Sequence, residues 1–225
     1  AIWGLGIDNA LIELSGPEVP IMDGSSEPFV FMLECAGIVT LKAPRRVLRV
    51  LKTIEVRDGN SYAKISPNKE GDVGMLLNIE IEFNHSLIGK QMAEYDFRDV
   101  TFKQSISRAR TFGFEHEVTA LQSMGLALGG SLDNAIVVGK DEIINKDGLR
   151  YENEFVRHKA LDCVGDLFLA GARIDGVVSF SRPGHAINNS LLRALFADDS
   201  AYIIENEGEI SEILPSSQTA DVAYA

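Results

Sequence analysis

Arg46-Val47-Leu48-Arg49-Val50-Leu51-Lys52-Thr53-Ile54-Glu55-Val56-Arg57 alternates apolar and polar residues, and its reading decides the fold. Residues 62–66 and 75–83 continue the alternation, separated by Asp58-Gly59-Asn60 and by the turn-rich stretch 68–71. A period of two, broken by Asn, Asp and Gly, predicts a series of β-hairpins. Residues 84–89 read as another turn, followed by a strand around 91–97. Beyond it the period lengthens. Asp99 can cap a helix through about Arg108. Residues 156–171 and 184–197 read as longer helices, with a strand at 176–181 between them. Strands followed by helices predict an α+β fold, a sheet with helices packed on one face.

Upstream of this run, Ala1-Ile2-Trp3-Gly4-Leu5-Gly6 reads as the end of a helix. Residues 9–14 read as a strand and 15–24 as a loop carrying Pro17, Pro20 and Gly24. Ser25 or Ser26 can cap a helix running to about Ala36, ended by Gly37. Residues 42–46, with Lys42, Pro44, Arg45 and Arg46, read as a linker and a domain boundary. Downstream, the segment 113–138 is Gly-rich, holds a short apolar strand at 135–138, and reads as an insertion forming a wall or channel. Residues 205–225 begin with Glu205, Glu207, Glu209 and Glu212, lack an apolar face, and are expected to form a mobile tail.

The bulk composition sets limits. With 225 residues, 45% hydrophobic and 24% charged, the chain can bury a sizeable core. A net charge of −12 disfavours nucleic acid as a partner. It leaves room for an anionic substrate held by a few local cations. No apolar run reaches the ~20 residues of a membrane span, so at most peripheral membrane contact is expected. No signal peptide is evident, and Cys35 and Cys163 are expected to be reduced core thiols, so a cytoplasmic location is expected; a monomer is expected too.

The chemistry gathers in His158-Lys159-Ala160-Leu161-Asp162-Cys163-Val164-Gly165-Asp166. On a helix, His158, Asp162 and Asp166 fall on one stripe at i, i+4 and i+8, with Leu161, Val164, Leu167, Phe168 and Leu169 available for packing. The spacing of His158 and Asp162 is that of two helical ligands to one metal ion, and equally that of a surface ion pair. Asp166 fits either a surface residue or a partner that fixes a histidine tautomer. His185 follows Gly184 at a strand-to-helix junction, where it can serve as a general acid or base or simply pack at the helix start. Asn188 and Asn189 can hydrogen-bond that turn. His85 sits in a turn and His116 between two glutamates; either could in principle be a third ligand. Arg157, Lys159 and Arg182 are cations that can meet phosphate or water. Gly129-Gly130-Ser131 lacks the Lys and spacing of a phosphate-binding loop.

Six blocks become specific together: Gly4-Leu5-Gly6-Ile7-Asp8-Asn9, Pro17-Glu18-Val19-Pro20-Ile21-Met22-Asp23-Gly24-Ser25, Ser107-Arg108-Ala109-Arg110-Thr111-Phe112-Gly113-Phe114, Gly129-Gly130-Ser131-Leu132-Asp133-Asn134-Ala135-Ile136-Val137-Val138, Phe155-Val156-Arg157-His158-Lys159-Ala160-Leu161-Asp162, and Gly184-His185-Ala186-Ile187-Asn188-Asn189. In this order, from Ala1 to about Ala197, they closely resemble the UDP-3-O-acyl-N-acetylglucosamine deacetylases, zinc amidases of bacterial lipid A synthesis. The resemblance implies two similar α+β domains with the site between them. Residues 1–45 would be the C-terminal part of the first and about 46–204 the second. It implies that His158 and Asp162 are zinc ligands, that His185 is the general acid and oxyanion stabiliser, and that Asp166 orients His185. Thr111 would face the developing oxyanion, Phe112 the sugar, Lys159 the polar part of the substrate and Arg182 the diphosphate, while the insertion 113–138 would wall the acyl passage. The family's third zinc ligand and its general base form a Glu-His pair whose register falls before Ala1. The chain is therefore read as a fragment that lacks both, and is expected to be inactive by itself. Two alternatives remain: a different metal hydrolase that recruits His85, and a non-catalytic remnant that binds the UDP-sugar.

Overall fold

The computed structural model describes residues 1–98, 102–125 and 127–207. It is an α+β fold whose centre is one strand near the C-terminus. The strands are β1 (Arg46–Val50), β2 (Ile54–Asp58), β3 (Ser61–Ser66), β4 (Met75–Glu82), β5 (Lys90–Asp96), β6 (Phe112–Phe114), β7 (Ile136–Val138), β8 (Arg173–Ser181) and β9 (Tyr202–Asn206). The helices are α1 (Glu27–Ala36), α2 (Phe102–Ser105), α3 (Glu115–Ser123), α4 (Glu154–Leu167) and α5 (His185–Phe196). Seven strands form the main sheet, and β6 and β7 form a separate parallel pair.

β8 is the central strand of the sheet, with neighbours on both sides, and its Ile174, Val178 and Phe180 are buried. Its first residues run parallel to β1, and its later residues lie between antiparallel β3 and parallel β4. The hairpin reading holds for β2 with β3 and for β4 with β5. It fails between β3 and β4, because β8 comes between them and pairs with both. The expected continuous strand over 46–57 is broken as well: β1 pairs with β8 and β9, while β2 pairs with β3. Gly176 marks the handover from β1 to β3 along β8. A Cβ there would stand 2.9 Å from both the Ser66 carbonyl oxygen and Val50 Cγ2.

α4 and α5 pack together on the sheet. α4 packs on β4, β5 and α5, and α5 packs on β2 and β3. Val156, Ala160, Cys163, Val164 and Leu167 of α4 are buried, as are Ile187, Leu191, Leu192 and Leu195 of α5. These spacings give each helix one apolar stripe. They meet Ile65, Leu77, Ile79, Ile81, Val178 and Phe180 from the sheet. The packing stripe of α4 is narrower than expected from sequence: α4 ends at Leu167, Leu169 is 71% exposed, and Phe168 also reaches solvent.

The first segment departs further from expectation. Residues 1–6 form turns rather than a helix end, and residues 9–14 are exposed and form neither helix nor strand among the described residues. A segment of strand composition becomes a strand only when a neighbouring strand takes up its backbone groups. Helix α1 forms where expected, after Ser26, and stops at Gly37 with a φ of 85°. Ser26 spends its hydroxyl outside the helix, donating to the Ser107 carbonyl rather than capping. Cys35 is exposed, contrary to expectation, while Cys163 is buried.

Arg45 and Arg46 are not a loose linker. Arg46 opens β1, and Arg45 donates to Asp8 and to the Gly6 carbonyl. The chain is also ordered past residue 204: Glu205 lies in β9 and pairs with Arg49 at 2.9 Å. Residues 208–225, the rest of the expected tail, lie outside the described residues, as does Asp99, the expected cap. The helix expected to reach Arg108 is the short α2. No described helix is long and apolar enough to cross a membrane.

Candidate active site

α4 carries the polar stripe on the side away from its sheet-facing residues, toward the loop 106–111. His158 is buried, and its Nδ1 lies 3.0 Å from the Ala109 carbonyl oxygen. A carbonyl only accepts, so Nδ1 carries the proton and Nε2 of the neutral ring holds a free lone pair. That lone pair faces Asp162, whose Oδ1 is 3.5 Å from Nε2. Two acceptors placed this way call for a proton or a cation between them. Bonds of about 2.0–2.1 Å around a tetrahedral zinc ion put adjacent donors about 3.3 Å apart, close to the distance seen here. The second oxygen of Asp162 is 3.4 Å from Lys159 Nζ.

Asp166, one turn further, serves a different partner. Its Oδ2 accepts from His185 Nδ1 at 2.9 Å and from Asn188 Nδ2 at 2.8 Å. His185 is the first residue of α5, placed by the turn Arg182-Pro183-Gly184 that follows β8. With Nδ1 donating to a carboxylate, His185 presents Nε2 to solvent, and its side chain is 74% exposed. The stripe therefore divides: His158 and Asp162 face each other, and Asp166 anchors the exposed His185.

Thr111 is partly buried and fixed through its backbone, donating to the Gly24 carbonyl and accepting from Ile136. Gly24 (φ 80°) makes that contact possible, since a Cβ there would fall 2.0 Å from the Asn134 carbonyl oxygen. Phe112 lies beside the candidate ligand, its ring 6.4 Å from that of His158 and edge-on to Phe155 at 4.9 Å. Arg182 sits at the end of β8 with a left-handed φ of 51°, and its guanidinium pairs with Glu82.

His85 and His116 both lie against Phe114, at 5.3 and 5.7 Å between ring centroids. His85 also accepts from the Leu87 backbone N–H, as a turn residue does. Among the described residues no group of three His, Cys, Asp or Glu side chains could hold a metal ion. That corrects the reading in which His85 completes a site with His158 and Asp162. The pair offers two donors where catalytic zinc sites use three protein ligands.

Sequence reasoning passed over several residues behind the site. Glu154 is fully buried and accepts from Arg110 Nε at 2.9 Å and from the Arg110 backbone N–H at 3.0 Å. Burial pushes its carboxyl up, but the hydrogen bonds from Arg110 and from the Arg150 backbone outweigh that and hold it below the usual range. Asn188, read as a turn residue, instead steadies Asp166. Its place three residues after His185, on one helix face, was the available signal. Burial drives the Cys163 thiol well above its ordinary pKa, and the Sγ accepts from Asn188 at 3.6 Å.

Residues 1–197 match the family profile described as UDP-3-O-acyl N-acetylglycosamine deacetylase. Proteins named UDP-3-O-acyl-N-acetylglucosamine deacetylase from Xanthomonas oryzae pv. oryzae and Acidithiobacillus ferrooxidans are each 50% identical to the chain over 204 residues. One of the same name from Photobacterium profundum is 49% identical over the same length. Each alignment covers 90% of this chain and 66% of the relative, so the chain spans just under two thirds of the relatives' length.

Proposed function

The chain belongs to the UDP-3-O-acyl N-acetylglycosamine deacetylase family, and on that premise we propose that it carries the greater part of a zinc-dependent active site that hydrolyses the N-acetyl group of UDP-3-O-acyl-N-acetylglucosamine, in the cytoplasm and as a monomer. The observation that carries this reading is the facing pair of His158 Nε2 and Asp162 Oδ1, with His158 Nδ1 already committed to Ala109. A zinc ion held there would supply Lewis-acid chemistry, activating water near neutral pH and polarising the amide carbonyl.

The chain's own residues do the rest. Lys159 offsets the charge of Asp162 and meets the polar part of the substrate. The Thr111 hydroxyl donates to the oxyanion that develops on the acetamide oxygen. His185 protonates the departing amine from Nε2, while Asp166 holds Nδ1–H and balances the imidazolium charge. Acetate and the free 2-amino sugar are the products. Phe112 supports the sugar ring, Arg182 exchanges Glu82 for the diphosphate, and the segment 113–138 guides the acyl chain. We assign residues 1–45 to part of a first domain and 46–204 to a second. The third zinc donor and the general base belong to a Glu-His pair outside residues 1–225.

The test is a chain extended at its N-terminus with the matching segment of the Xanthomonas oryzae relative. Zinc-dependent acetate release is expected from it. His185→Ala should lower kcat by about 10²–10⁴-fold, the usual weight of a general acid. Release that persists undiminished in His158→Ala contradicts the ligand assignment. Binding of UDP-sugar without any turnover would favour a remnant instead.

A further inference from the structure

One peptide unit, Ala109–Arg110, is gripped at both ends by α4. Its carbonyl faces His158 Nδ1 at 3.0 Å, and its N–H donates to Glu154 Oε1 at 3.0 Å. Glu154 and His158 stand one helical turn apart, as Glu154 opens α4. In a trans peptide the C=O and N–H point in opposite directions, so the two bonds fix the orientation of the same plane. Turning that plane over would break both.

Glu154 is held with unusual completeness for a carboxylate shielded from water. Beyond the Arg110 backbone it accepts from Arg110 Nε at 2.9 Å, Arg110 Nη2 at 3.1 Å and the Arg150 backbone N–H. Arg110 Nη2 also donates to the Gly148 carbonyl at 2.8 Å. Neither side chain reaches the surface where substrate would lie: Glu154 is 0% and Arg110 8% exposed. A buried ion pair is a weak source of stability, since desolvation offsets most of the attraction. The shared peptide gives this pair a further role beneath the site.

We propose that Glu154, acting through the Ala109–Arg110 peptide, is the positioning residue that locks His158 in its Nδ1–H tautomer and so turns Nε2 toward Asp162. A carboxylate on the N–H polarises the peptide, which strengthens its carbonyl as an acceptor. The arrangement is a carboxylate–histidine support with a peptide bond inserted between the two partners. Arg110 keeps Glu154 ionised and in place. The inference rests on the reading of His158 as a metal donor only for its functional meaning; the tautomer itself is measurable in the metal-free chain.

The experiment is ¹⁵N NMR of the histidine rings in the 225-residue chain at alkaline pH, where the imidazoles are neutral. The unsubstituted chain is expected to show His158 as a single Nδ1–H tautomer. Glu154→Gln should convert it to a mixture, whereas Arg110→Lys, which leaves the Glu154-to-peptide bond available, should keep the single tautomer while lowering stability. A purely structural pair predicts no tautomer change in either variant. If Glu154→Gln does not fold, Glu154→Asp keeps the charge for Arg110 but withdraws the carboxylate from the peptide, and the same mixture is expected. An Nε2–H tautomer in the unsubstituted chain, or an unchanged one in either folded Glu154 variant, overturns the proposal. In the N-terminally extended chain, Glu154→Gln should also weaken zinc binding about 10–100-fold. A tautomer shift without any zinc binding by the extended chain would defeat the zinc reading and leave the positioning role standing.

Discussion

At His158, a ring nitrogen committed to a carbonyl leaves one lone pair, and that lone pair faces a carboxylate. The helical spacing made this pairing legible in the sequence, because i and i+4 side chains stack whatever the tertiary context. Which nitrogen would face Asp162 was not legible, because the Ala109 carbonyl comes from a loop 49 residues away. Glu154 was hidden for a similar reason: a Glu in a helix's first turn usually favours the helix dipole from solvent, and only the fold buries this one. Its folded pKa lies below its unfolded value, so it contributes stability that is fully present above about pH 4.3, the unfolded carboxylate value, and lost as pH falls through the lower folded value. The urea midpoint of the unsubstituted chain should therefore fall as pH drops below about 4.3, and Glu154→Gln should show a flatter acid limb. Equal limbs would show that Glu154 is not held ionised by the fold. The two cysteines give a simpler check. Cys163 is 0% exposed with its pKa raised by burial, whereas Cys35 is exposed. A thiol reagent should titrate one thiol per native chain and two after denaturation.

At the scale of elements, local patterns succeeded where partners are near in sequence. The β2–β3 and β4–β5 hairpins pair across short turns, and α1, α4 and α5 lie close to their expected positions. The pattern misled where the partner is distant. β3 and β4 are neighbours in sequence, yet β8, about a hundred residues on, separates them, and alternation carries no mark of such an insertion. Residues 9–14 have the composition of a strand and no described strand beside them. The α5 stripe, by contrast, is decided by its own period. Leu191 is 0% exposed at the centre of that stripe. Leu191→Ala should cost about 2–5 kcal/mol in equilibrium denaturation, the range for a buried leucine whose site collapses only in part. A loss under about 1 kcal/mol would show that α5 is not firmly packed.

Across the whole molecule, cations from residue 45 onward clasp the first segment. Arg45 reaches Asp8, Arg108 reaches Glu27, Lys103 reaches Glu34 and Arg150 reaches Asp23. Exposed pairs of this kind contribute little individually, about 0–1 kcal/mol each. More is contributed by Trp3, buried edge-on against Phe97 with the Arg173 guanidinium over its ring. Around these anchors the segment stays apolar and open, with Leu11 89% and Val39 80% exposed. The loop 20–26 nonetheless meets Thr111, so both parts of the chain border the candidate site. The central claim is that one metal ion is shared by His158 and Asp162, while Asp166 and His185 stand apart as a proton-handling pair. Zinc content after dialysis of the N-terminally extended chain tests it most directly. The expected result is one zinc per chain, lost in His158→Ala and in Asp162→Ala and retained in Asp166→Ala and in His185→Ala; stoichiometric zinc retained in both His158→Ala and Asp162→Ala would contradict the account.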